Sequence, residues 1–181
     1  MRAILAIDVQ ESFRARAAEW AEVSAPDIVA RVQRVVDHGR DRGDVVAWVL
    51  HEEPGTSGAF DPALGHVRLQ DGLDARDDDV HVAKRVHNAF TGTDLDARLR
   101  ALGVDEVVVT GIRTEQCCET TARVASDLGY RVTFVLDATA THPHAAWDGG
   151  TIAPADIQRA TASALHGRFA TVTTIDALLA G

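Results

Sequence analysis

EVVVTGIRTEQCCETTARVASDLGY, residues 106–130, changes character twice, and those changes decide the fold. Val107, Val108 and Val109 form the β-branched run of a buried parallel strand, and Gly111 reads as the breaker that ends it. After a tight turn, Thr121, Val124, Ala125 and Leu128 recur at helical spacing from Cys117 onward, and Gly129 stands where a C-terminal cap residue belongs. Cys117 is thereby expected in the first helical turn. Free backbone N–H groups and the positive end of the helix dipole favour a thiolate there, so the position predicts a lowered thiol pKa.

Working outward, strands alternate with amphipathic helices, the pattern of a parallel sheet covered on both faces. Strands are expected at 3–8, 45–50, 80–84, 106–110, 131–138 and 170–172. One helix starts near Pro26, with Ser24 and Asp27 spaced as a capping box and Ile28, Val32, Val35 and Val36 on its buried face. Another follows Thr93 and Asp96, again spaced as a capping box, and ends near Gly103. Further helices are expected over 156–165 and from Asp176. The sequence thus predicts a single α/β domain over residues 1–181, three layers deep (αβα) and Rossmann-like. Two polar loops stand out, 51–79 and the segment carrying His142, His144 and Trp147; a structureless connection as long as the first is usually functional.

In such a sheet, ligands bind beyond the carboxyl ends of the strands. Asp8 ends the first strand, Lys84 the third, and Cys117 follows the fourth, so three unlike reactive groups converge on one edge. A partly buried carboxylate can take a thiol's proton, and a lysine beside both can hold the carboxylate and stabilise developing negative charge. Together they suit attack on an amide-type carbonyl with a thioester intermediate, chemistry that needs no cofactor. No G-x-G-x-x-G and no G-x-x-x-x-G-K-S/T is present, which leaves a nucleotide reading without support.

These residues resemble the isochorismatase-like cysteine hydrolases, the family of nicotinamidases, N-carbamoylsarcosine amidases and ureidoacrylate amidases. The likeness rests on D-x-Q-x-x-F at Asp8, Gln10 and Phe13; on K-x-x-x-N-A-F from Lys84 to Phe90, with Thr93 and Leu95 after it; and on T-G-I-x-T-E-x-C from Thr110 to Cys117, continued by Thr121, Ala122, Gly129 and Tyr130. The resemblance implies a six-stranded parallel sheet in the order 3-2-1-4-5-6 and an Asp8, Lys84, Cys117 triad. It also implies a cis peptide between Ile112 and Arg113, and an oxyanion hole from the backbone N–H groups of Arg113 and Cys117. Oligomers are common in this family, so a homo-oligomer is expected.

The departures narrow the chemistry. Nicotinamidases of the family carry a D-x-H pair and a further histidine for a metal, whereas the second strand here runs into W-V-L-H-E-E-P, so no metal is expected. Members that hydrolyse the vinyl ether of isochorismate dispense with the cysteine; retention of Cys117 favours cleavage of an amide or carbamoyl C–N bond in a small metabolite. Vinyl-ether hydrolysis, or binding of a small ligand without catalysis, are the alternatives. Phe13, His51, Phe60, Phe90 and Trp147 are candidates for the substrate pocket, with ordinary packing or solvated surface as the competing reading. His142 and His144 lack an evident third ligand. Cys118 lies about 100° round the helix from Cys117 and reads as a packing residue.

Composition fits this reading. A net charge of −9 and a pI near 5.2, with no dense Lys/Arg run, argue against a nucleic-acid partner. No apolar run approaches the roughly 20 residues of a membrane span, so the reading is a cytoplasmic protein with no membrane partner, acting on a small-molecule substrate. The only two cysteines are adjacent and cannot staple distant parts of a fold, as suits a reducing compartment.

Overall fold

The computed structural model describes residues 1–181. Its sheet strands are β1 (Arg2–Ile7), β2 (Val45–His51), β3 (Val80–Lys84), β4 (Glu106–Ile112), β5 (Arg131–Ala140) and β8 (Thr171–Thr173); β6 (His144–Ala145) and β7 (Thr151–Ile152) form a separate antiparallel hairpin. The six main strands pair in parallel in the order β3-β2-β1-β4-β5-β8, so the expected order holds, with β8 as the sixth strand of the sheet.

Alternation along the central strands builds two cores. Ala3, Leu5 and Ile7 face one cluster with Val107, Val109 and Phe134, covered by α4 (Leu95–Ala101), α5 (Glu119–Asp127) and α6 (Pro154–Leu165) through Leu95, Leu99, Ala122, Ala125 and Leu165. Ile4 and Ala6 face the other with Val46, Trp48 and Val108, covered by α3 (Ile28–Asp41) through Ile28, Val32, Val35 and Val36 and by α7 (Ile175–Ala180) through Ile175. A strand buried on both faces has no polar face to show, which is why β1 and β4 read as continuous apolar runs.

Several local expectations are corrected. Gly111 does not end its strand: β4 continues to Ile112, and the register against β5 shifts between Val109 and Gly111. The glycine is required by close approach, since at φ 128° an added Cβ would stand 1.9 Å from the carbonyl oxygen of Ile7. Neither capping box forms. Asp27 precedes α3 without a side-chain cap and pairs with Arg31, while Ser24 is tied to the chain end of β5, its N–H donating to Thr141 O and its Oγ accepting from Thr141 N–H. Thr93 Oγ1 donates to Ala89 O at 2.7 Å, and Asp96 accepts from the Tyr130 hydroxyl at 2.7 Å. Distant partners take Ser24 and Asp96 out of their boxes, while Thr93 Oγ1 keeps a long bond from Leu95 N–H at 3.4 Å.

The short helices α1 (Glu11–Ala15) and α2 (Ala17–Trp20) and the β6–β7 hairpin carry too few residues to show a period, and sequence patterning passes over them. The 51–79 segment has one 3₁₀ turn, Pro62–Leu64, and is pinned beneath the end of β1: Glu11 N–H donates to Arg68 O, Gln70 N–H to Val9 O and Gln70 Nε2 to Gln10 O. This anchoring carries Phe60 to the carboxyl edge of the sheet.

Candidate active site

Asp8 is the first residue beyond β1, at φ 54°. Aspartate tolerates this left-handed conformation better than most residues. Its N–H donates to Val49 O at 2.8 Å and its carbonyl accepts from Gln10 N–H at 2.9 Å, so the chain leaves β1 in a fixed turn. Gln10, fully buried, then spans the gap to β2: Nε2 donates to His51 O at 3.0 Å and Oε1 accepts from His51 N–H at 2.8 Å. The glutamine supplies the pairing that the diverging strands no longer give each other, and it fixes the histidine's backbone.

Lys84, the last residue of β3, is the centre of the site. Nζ lies 2.8 Å from Asp8 Oδ2, donates to Cys117 Sγ at 3.4 Å and to Val86 O at 3.2 Å, and stands 3.5 Å from His51 Nδ1. The loop after it is held by its own residues. Asn88 Oδ1 accepts from the N–H groups of Phe90 and Thr91, and Ala89 N–H donates to Thr121 Oγ1 on α5. Much of the K-x-x-x-N-A-F motif therefore shapes the loop.

Cys117 sits in a π-helical turn, Thr114–Cys118, that leads into α5, and it is buried. The turn follows a cis peptide between Ile112 and Arg113, and Cys118 N–H donates to Arg113 O at 3.1 Å. The Arg113 N–H donates to no protein group and is free for a ligand. Cys118 is fully buried in the core with Ala122 and Ala125.

Burial governs the protonation states. It raises the Asp8 carboxyl above its usual value, against the opposing pull of the Lys84 ammonium. Burial alone would lower the Lys84 pKa, but it is raised, because the Asp8 charge and the contacts to Asp8 and to Cys117, whose charge adds once the thiol ionises, outweigh that desolvation. The Cys117 thiol is pushed up to about 12, first by burial and second by the Asp8 charge, with Lys84 opposing. This corrects the expectation of a lowered thiol pKa: a helix start and a lysine favour the thiolate, but desolvation and a neighbouring carboxylate disfavour it more. The resting site holds a neutral thiol. With Asp8 protonated, the main charge opposing the thiolate would be absent and Lys84 would remain facing the sulfur.

A cavity of about 130 Å³ opens onto these groups, lined by Asp8, Phe13, Arg16, His51, Glu53, Phe60, His87, Arg113, Gln116 and Cys117. Phe13 meets Phe60 edge-on at 5.1 Å, and His51 meets Phe60 at 5.5 Å. Of the expected pocket residues, Phe13, His51 and Phe60 line it; Phe90 and Trp147 do not. Phe90 stacks on Tyr130 at 5.9 Å within the core, because its loop turns inward toward α5. Trp147 is 97 % exposed at the tip of the β6–β7 hairpin. His142 and His144 approach each other at 5.4 Å and pair with Glu19 and Glu115 respectively, and no three of these groups converge so as to hold a metal ion. Patterning did not single out Arg16, His87 or Gln116. Gln116 had a signal in its adjacency to the nucleophile, whereas Arg16 joins two helices too short to show one.

Comparison with known proteins bears on the family and the fold. The model of the isochorismatase domain matches residues 2–177. The chain is 30 % identical to YddQ, an isochorismatase family protein of Bacillus subtilis, over 98 % of each chain. It is 34 % identical to streptothricin hydrolase of Streptomyces noursei over 78 % of this chain and 50 % of that protein. The crystal structure of a cysteine hydrolase from Pseudomonas syringae superimposes with a TM-score of 0.86 at 28 % identity, covering 99 % of this chain and 91 % of the other. A match that runs almost from end to end, on a sheet of the same order, makes this chain a member of the isochorismatase family of hydrolases.

Proposed function

We propose that the chain is a cysteine-dependent hydrolase that cleaves the amide or carbamoyl C–N bond of a small metabolite. One observation carries the reading: a single buried ammonium, Lys84 Nζ, stands between Asp8 Oδ2 at 2.8 Å and Cys117 Sγ at 3.4 Å, behind the Asp8 and Cys117 that line a cavity. Asp8 takes the thiol proton as sulfur attacks the carbonyl carbon, and the new C–S bond turns the carbonyl oxygen into an oxyanion next to the Arg113 and Cys117 N–H groups. Collapse breaks the C–N bond, and the amine leaves with the proton from Asp8. Water, deprotonated by Asp8, attacks the thioester; the C–S bond breaks and the proton returns to sulfur. The net reaction consumes one water and yields an acid and an amine. The word hydrolase in the names of two relatives, one of them a cysteine hydrolase, is consistent with this chemistry.

The test is a screen of small primary amides and carbamoyl compounds with ammonia release as readout, together with intact mass of the acylated enzyme. Adduct on Cys117 and loss of turnover in Cys117→Ala are expected; full activity in that variant refutes the thioester route. The raised Asp8 pKa also suits the competing reading, in which Asp8 protonates a vinyl ether such as isochorismate. There Asp8→Asn abolishes activity and Cys117→Ala leaves it intact.

A further inference from the structure

His51 is held more firmly than a residue that only lines a cavity needs to be. Both of its backbone groups are bonded to the buried Gln10 side chain, and its own side chain is 16 % exposed. Ring Nδ1 stands 3.5 Å from Lys84 Nζ and Nε2 stands 3.2 Å from Glu53 Oε1, while Phe60 meets the ring edge-on. An ammonium can only donate and a carboxylate can only accept, so both neighbours select the same neutral tautomer, with a lone pair on Nδ1 and the hydrogen on Nε2. The charges facing this cluster are Asp8 beyond β1, Lys84 at the end of β3, Glu53 in the loop after β2, and Cys117 in the π-helical turn once it ionises; His87, Arg16 and Arg113 lie elsewhere on the cavity wall. The next residues along the two strands, Glu52 and Arg85, pair with each other at 2.8 Å.

Lys84 has more acceptors than hydrogens. Four acceptor atoms stand within 3.5 Å of Nζ: Asp8 Oδ2 at 2.8 Å, Val86 O at 3.2 Å, Cys117 Sγ at 3.4 Å and His51 Nδ1 at 3.5 Å. An ammonium carries three N–H groups. The nearby carboxylate claims one and the fixed carbonyl of Val86 another, which leaves the third to the sulfur and the imidazole. A neutral thiol is a weak acceptor beside an imidazole lone pair, whereas a thiolate is the stronger of the two, because a charged partner strengthens the bond.

We infer that His51 is a positioning residue for the nucleophile: its Nδ1 holds the third Lys84 N–H while Cys117 is a thiol and yields it to the sulfur as the thiolate forms, with Glu53 fixing the tautomer that leaves Nδ1 free to accept. No covalent bond is made or broken in the hand-over; the hydrogen stays on Lys84, which rotates about its Cε–Nζ bond. Ionising the sulfur then costs the bond to His51, so the thiol stays protonated until Asp8 draws its proton away.

The inference rests on Cys117 as the nucleophile of the hydrolase reading, and it is tested without a substrate so that the two can fail separately. In a Cys118→Ser background, the pH profile of Cys117 alkylation by iodoacetamide is measured by intact mass in His51→Leu and His51→Asn, with melting curves to establish folding. His51→Leu removes the competing acceptor and should move the profile to lower pH by about one unit, a roughly tenfold faster reaction at pH 9. Asparagine, whose Oδ1 can accept in the place of Nδ1, should keep most of the parent's profile. A His51→Leu profile that stays in place or moves to higher pH, or an equal shift in both variants, overturns the inference; a structural role alone would lower both melting temperatures without separating the profiles. Imidazole nitrogen-15 shifts of the wild type, with His51 identified by its contacts to Phe60, test the tautomer with no substitution in the buried cluster. Hydrogen on Nε2 and none on Nδ1 is expected at pH 8, and the reverse overturns the inference. Separated profiles without hydrolysis of any amide by wild type would keep the hand-over and retire the hydrolase reading, while amide hydrolysis with unseparated profiles would do the opposite.

Discussion

Lys84 Nζ stands 2.8 Å from Asp8 Oδ2, and neither side chain is exposed by more than 1 %. A buried pair of this kind contributes little net stability while intact, because desolvating both charges cancels most of their attraction. Removing one member strands the other. Lys84→Met should therefore lower stability by about 3–5 kcal/mol in urea denaturation, and the Asp8→Asn, Lys84→Met double variant should recover much of that loss. A double variant as unstable as the sum of the singles would mean that the two side chains act independently.

The high thiol pKa makes a prediction about reactivity. In Cys118→Ser, alkylation of Cys117 by iodoacetamide should be slow at pH 7 and climb above pH 9 toward the value of about 12 that burial and Asp8 impose. Asp8→Asn removes the second of those causes and should shift the profile to lower pH. Rapid alkylation at pH 7 would instead show a resting ion pair of thiolate and ammonium.

The same shift bears on stability. The folded pKa of Cys117 lies above its ordinary value of 9.0, so between pH 9 and about 12 the unfolded chain gives up a proton that the folded chain retains. Stability is fully present below pH 9 and is lost across that window, by about 1.4 kcal/mol for each unit of pKa difference. Cys117→Ala should flatten this part of the pH–stability curve. An unchanged slope in that variant would assign the alkaline loss to other groups.

At Gly111 the constraint is steric. An added Cβ would stand 1.9 Å from Ile7 O, a backbone atom on the neighbouring central strand, and φ 128° disfavours any side chain. Gly111→Ala should cost roughly 3 kcal/mol or more and disturb the turn that carries Cys117. A variant of near wild-type stability and activity would mean that β1 and β4 separate more easily than their burial suggests.

The cavity wall gives a paired test. Phe60 lines the cavity against Phe13 and His51, whereas Trp147 is 97 % exposed and does not line it. Phe60→Ala should raise KM for any small amide that the wild type hydrolyses, and Trp147→Ser should leave both that KM and the stability within about 0.5 kcal/mol of wild type. Loss of binding in Trp147→Ser would place the hairpin over the site.

The sequence by itself determined what repeats or is locally encoded. Runs such as Val107 to Val109 mark strands buried on both faces, and the spacing of Ile28, Val32, Val35 and Val36 marks one covering helix. Strand-end positions brought Asp8, Lys84 and Cys117 to one edge, because a parallel sheet places all of its carboxyl ends together. Tertiary structure decided whatever depends on contacts between distant segments. Ser24 left its capping box for Thr141, 117 residues away, and Phe90 turned into the core onto Tyr130. Arg16 and Arg113 met over Glu19 from segments with no shared pattern. The thiol's protonation state was decided there too, since the helix start that favours a thiolate is visible in the sequence, while the burial that outweighs it exists only once the chain has closed over Cys117.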